Sequence, residues 1–83
     1  MSQANSKRIF LSQISVITYL YKFNHYKQPR GMGCWGFSIG TKNGHRLKTN
    51  EFWINEPMLY SEAVKLAKLE AQKQGYCTIY VLP

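Results

Sequence analysis

The chain has 83 residues with 11 Lys or Arg against four acidic residues, a formal net charge of +7 with His neutral. A chain this short makes one domain with a thin core, burying about 60–65% of its unfolded surface. A hydrophobic share of 45% excludes a disordered chain. No apolar run approaches the roughly 18 residues of a membrane span.

The acids are all glutamates, and all lie between Glu51 and Glu70. Residues 1–50 hold eight Lys or Arg and no acid, a block of +8; residues 51–83 hold three Lys and four Glu, −1, and +8 − 1 gives +7. This split points to a polyanionic partner, and the lack of aspartate removes Asp-based metal and triad chemistry. Lys7-Arg8 before Ile9-Phe10-Leu11 is too short for a secretory signal. The expected location is therefore cytoplasmic, with Cys34 and Cys77 as reduced, half-buried thiols.

Residues 1–12 read as a loose basic lead-in, with Ile9, Phe10 and Leu11 able to dock on a single α+β domain over 13–83. Ile14 to Phe23 has the β-branched and aromatic content of an interior strand. Asn24 to Gly33 is a long connection, broken by Pro29 and two glycines and carrying only positive charge. Cys34 to Ile39 reads as a second strand, with Trp35, Phe37 and Ile39 on one face and Cys34, Gly36 and Ser38 on the other. Asn43-Gly44 marks a tight hairpin into a third strand over Arg46 to Ile54. A helix then runs from Glu62 to Gln74, capped by Ser61 or entered through Asn55-Glu56-Pro57, and stopped by Gly75. Tyr76 to Leu82 is a last strand.

Gly31-Met32-Gly33-Cys34-Trp35-Gly36 spells G-x-G-x-x-G, but a strand follows it where the dinucleotide fingerprint needs a helix N-terminus. Arg30 to Phe37 also partly fits the RNA-recognition octamer, with Met32 and Cys34 where the stacking rings belong. His25, Cys34, His45 and Cys77 lack metal-site spacing, so neither metal nor cofactor is expected. Glu62 and Glu70 read as surface charges balancing Lys65, Lys68 and Lys73.

The functional signal with weight is the basic, aromatic stretch from Tyr19 to Phe37. Lys22, Lys27 and Arg30, extended by Lys42, Arg46 and Lys48, can neutralise phosphates. Tyr19, Tyr21, Phe23, Tyr26, Trp35 and Phe37 can stack on bases or form an interface. The same residues also fit a plainer account, with rings in the core and lysines keeping the surface soluble.

Pro29-Arg30-Gly31-Met32-Gly33-Cys34-Trp35-Gly36-Phe37 resembles the glycine-rich passage into the second strand of the ribonuclease H fold. The helix from Glu62 to Ala71, then Gly75 and the last strand, resembles the rest of that fold's N-terminal half. The resemblance covers residues 14–83 and implies a β-β-β-α-β order. It also implies a helix glutamate at Glu62 and aspartates near Phe23 or Asn24 and just after Val81, where none stands. A held rather than cut polyanion follows.

The expected fold is a four-stranded, mainly antiparallel sheet in the order 3-2-1-4, its last strand parallel to its first, with one helix across one face. That helix should pack on Val16, Leu20, Cys34, Gly36, Ile79 and Val81. The other face would show Tyr19, Tyr21, Phe23, Trp35, Phe37 and Tyr80. So many exposed rings call for a cover: the N-terminal segment, a nucleic acid, a protein partner or a second copy. The expected function is a non-catalytic nucleic-acid-binding module, with a protein-interaction module as the alternative.

Overall fold

The structure, a computed structural model, describes residues 10–40 and 46–83. After a 3-10 turn at Leu11–Gln13 come β1 (Ser15–Ile17), α1 (Tyr19–His25), β2 (Met32–Gly33) and β3 (Gly36–Gly40). They are followed by β4 (Arg46–Trp53), β5 (Met58–Leu59), α2 (Tyr60–Gln74) and β6 (Thr78–Val81). The fold is α+β, with a mixed four-stranded sheet in the order β1-β6-β3-β4 and a two-stranded sheet of β2 and β5. Among the described residues no helix is long and apolar enough to cross a membrane.

The expected order 3-2-1-4 is corrected. The first and last strands do pair in parallel, Val16 opposite Ile79. But β6 sits between β1 and β3, pairing antiparallel with β3. Every residue of β3 and β6 is buried, as befits the two central strands. β1 is an edge strand only three residues long. Its register sets Ile17 opposite Tyr80, and β6 ends one residue later, at Val81. Beyond Ile17 a strand would have almost no partner for its N–H and C=O groups, whereas a helix satisfies them internally. The chain accordingly turns into α1, and the alternating rings of Tyr19, Tyr21 and Phe23 lie on a helix instead of a strand. α1 closes at Tyr26, which adopts the left-handed conformation (φ 58°) and donates its N–H to Lys22 O.

On β3 the faces are reversed from expectation, with Phe37 and Ile39 under the helix in place of Cys34 and Gly36, whereas Ile79 and Val81 of β6 pack there as expected. Register places Phe37 opposite Val81 and Ile39 opposite Ile79, and these four share one buried cluster with Ala63, Ala67 and Ala71 of α2. The alanines recur every four residues, so α2 lays a smooth stripe against the sheet, and the sheet supplies the bulk. The small residues Gly36, Ser38 and Gly40 face the other side, with Trp53 lying over Gly36. The helix begins at Tyr60, not at Glu62, and Leu59 as N-cap contributes no side-chain cap. β5 runs directly into it, and Gly31 O takes the Tyr60 N–H at 2.8 Å. Gly75 ends it as expected, with φ 85° and its N–H bonded back into the last turn. The Asn43-Gly44 turn lies outside the described residues, although β3 and β4, which flank it, are antiparallel.

Candidate nucleic-acid interface

β1, β4 and β6 run in one direction and β3 in the other. Three strands therefore end, and one begins, at the same edge of the sheet. At that end α1 leaves β1, Trp53 closes β4, Leu82 follows β6, and Cys34 and Trp35 lead into β3. These parts enclose a cleft of about 260 Å³.

Tyr21 and His25 of α1 form one wall, with their rings stacked at 4.1 Å. Trp35 backs it: its ring meets Tyr21 at 5.6 Å and Tyr60 at 4.9 Å, and its Nε1 donates to Met58 O at 3.0 Å. Only 5% of Trp35 is exposed, so this ring holds the wall in place more than it presents itself. Tyr60, beside it, has its phenol pushed above the usual pKa by burial. Trp53 also lines the cleft and is half exposed, with its indole N–H bonded to Glu51 Oε1 at 2.9 Å.

Lys27 and Arg30 supply the cleft's fixed charge. Both sit on the loop between α1 and β2, which is fastened at two points. Pro29 is buried, and Gly31, at φ 80°, turns its carbonyl to the first turn of α2. The cations thus project from a held segment. None of the described residues lining the cleft is acidic.

Of the sequence-derived candidates, Tyr21, Lys27, Arg30 and Trp35 meet in this cleft. Lys22 is exposed on α1 outside it, together with Tyr19, Phe23 and Tyr26, which are 56%, 80% and 90% exposed. Phe37 is corrected: it is 0% exposed, packed under α2, and offers no ring to a ligand. Tyr80, expected on an open aromatic face, is 1% exposed. Lys42 lies outside the described residues, and Arg46 and Lys48 belong to β4 with side chains likewise outside the described set.

The cleft also contains His25, Cys34 and Trp53, which the basic-aromatic pattern did not select. His25 and Cys34, with His45 and Cys77, belong to a set whose spacing suits no metal site. Among the described residues no three His, Cys, Asp or Glu side chains gather to hold a metal ion. Cys34 is exposed, Cys77 half-buried, and both are free thiols. A second hollow, about 230 Å³, lies between Leu11 and the Val64–Lys68 side of α2 and has no aromatic wall.

Chemically, the first cleft offers two cations and ring faces, with no acidic side chain in its described lining and Glu51 held on the indole N–H of Trp53 beside it. That combination can take up a phosphate beside a flat ring. Compared with known proteins, the chain matches no family model, no curated protein and no solved structure.

Proposed function

We propose that this protein is a small, non-catalytic nucleic-acid-binding module. The observation that carries the reading is the convergence of Lys27 and Arg30 with Tyr21, Trp35 and Trp53 around one cleft free of acidic side chains among its described lining. Phosphates are drawn by cations with release of counterions, and ring walls give bases a surface to stack on. The +8 charge of residues 1–50 favours a polyanionic partner.

Binding without cutting follows from the missing carboxylates. The ribonuclease H resemblance asks for acids near Phe23 or Asn24, at Glu62 and just after Val81. Only Glu62 is one, and Leu82 stands at the last of these positions. A two-metal site cannot be assembled from a single carboxylate.

The test is a titration of fluorescent oligonucleotides at two salt concentrations. Binding that weakens steeply with salt is expected. No binding at low salt, or binding indifferent to salt, would sink the reading.

A second reading has its own observation. Tyr19, Phe23 and Tyr26 are exposed at i, i+4 and i+7 along α1 and its cap. Such a stripe also suits a protein partner or a second copy of the chain. Light scattering separates the two: a monomer across a wide concentration range counts against self-association through α1.

A further inference from the structure

We infer that the cleft and the outer face of α1 form one track for single-stranded nucleic acid, with an unpaired base seated between Trp53 and the Tyr21–His25 wall. The inference rests on the nucleic-acid reading above and names its substrate class. Three observations carry it.

First, the cleft's size. At about 260 Å³ it falls below the roughly 300–1,000 Å³ of sites that enclose drug-sized ligands. It suits one flat ring with a phosphate at its mouth.

Second, the kind of surface on offer. Ring faces bind bases only where bases show their faces, and in a duplex those are hidden by stacking. Trp53 is 54% exposed, and Tyr19, Phe23 and Tyr26 are more exposed still. Tyr19, Phe23 and Tyr26 form a separate stripe, about 150° around α1 from Tyr21 and His25, that meets the cleft where Tyr26 precedes the cleft-lining Lys27. Lys22, Lys27 and Arg30 lie among them in the chain, so cations and rings interleave along residues 19–30. Backbone-tracking charge with successive stacking platforms is how single strands are held without sequence preference.

Third, among the described residues neither helix is suited to enter a groove. α1 has seven residues and carries mostly aromatic side chains. α2 mixes Glu62 and Glu70 with its lysines, giving no all-cationic face to follow a phosphate backbone.

The experiment uses the full chain with labelled 12-nucleotide single strands, DNA and RNA, and the matching duplexes, at one low salt concentration. Single strands should bind at least tenfold more tightly than duplexes and should quench tryptophan emission as they do so. Phe23→Ala and Tyr26→Asn change side chains at the surface, and Asn tolerates the left-handed conformation at position 26. Each should weaken single-strand binding about five- to tenfold with an unchanged melting temperature. Duplex bound as tightly as single strand, for instance through Arg46 and Lys48, would overturn the single-strand inference and leave nucleic-acid binding standing. Single-strand binding unmoved by both variants would also overturn it. Binding of neither form would overturn both readings and return α1 to a protein partner.

Discussion

The indole of Trp53 lies over Gly36, its partner across the β3–β4 ladder, so closely that a methyl group on Gly36 would overlap the ring. Gly36 is thus the seat of one cleft wall. In Gly36→Ala the ring must move. Because Trp53 is half exposed, it should swing outward before the strands part. We expect a stability loss toward the low end of the roughly 1–3 kcal/mol typical of overpacking. Oligonucleotide affinity should fall with it. Tryptophan emission, thermal melting and the titration check this together; an unchanged spectrum and affinity would show that the ring's place does not matter.

Phe37 and Phe23 should behave oppositely on truncation. Phe37 is sealed beneath α2, so Phe37→Ala should cost about 3–5 kcal/mol, enough to unfold much of a domain this size. Phe23 stands in solvent, and Phe23→Ala should stay within roughly 0.5 kcal/mol of the parent. Urea unfolding of both variants measures the difference.

If Lys27 and Arg30 each neutralise a phosphate, removing either charge should flatten the salt dependence. For Lys27→Gln and for Arg30→Gln, the slope of log affinity against log salt should shrink by about 0.7–1. An unaltered slope in both variants would remove these residues from the contact.

Ser38 is buried at the centre of the sheet, and its Oγ has no hydrogen-bond partner among the described residues. A buried hydroxyl left unmade costs about 1–3 kcal/mol. Ser38→Ala should therefore raise the melting temperature by a few degrees; for a domain of this size about 1 kcal/mol corresponds to roughly 4–8 °C. A lower melting temperature would mean that the hydroxyl is satisfied.

The raised pKa of Tyr60 has a definite sign in stability. The folded state keeps the phenol proton that the unfolded chain gives up near pH 10, so the folded state binds more protons above that pH. Stability is fully present below about pH 10 and declines as pH rises through the folded value. In Tyr60→Phe this part of the alkaline decline should vanish. Denaturation midpoints at pH 8 and pH 11 in both proteins test it.

Local features of the sequence spoke clearly where local physics decided them. The α2 pattern, its Gly75 stop, the shared face of Phe37 and Ile39, and the parallel pairing of the first and last strands all follow from nearby residues or simple crossover logic; the burial of that face does not. The stretch from Tyr19 to His25 misled because its period-two rings and β-branched neighbours suit a strand. What overrode them was the length of β6, fixed some sixty residues away. Trp53 was hidden for a similar reason. A two-residue turn at Asn43-Gly44, continued without a break, would set Glu51 opposite Gly36; the register shift between Ser38 and Gly40 brings Trp53 there instead. Lys27, Arg30, Tyr21 and Trp35 were legible as candidates because charge and ring content are composition. That they share a cleft depends on Pro29 and Gly31 holding the loop, which composition does not encode.

The last strand in the sequence occupies the middle of the sheet. β6 bridges β1 and β3, so neither can join the other's ladder until residues 78–81 have left the ribosome. Before then β1 has no neighbour in this sheet, and the β3–β4 hairpin, the β2–β5 pair and the helices are what can form. Closing β1 onto β6 across nearly the whole chain is a long-range step that carries loop entropy ahead of its reward. The domain should therefore mature late and in one concerted event, with the β3 edge exposed to wrong partners while synthesis is under way.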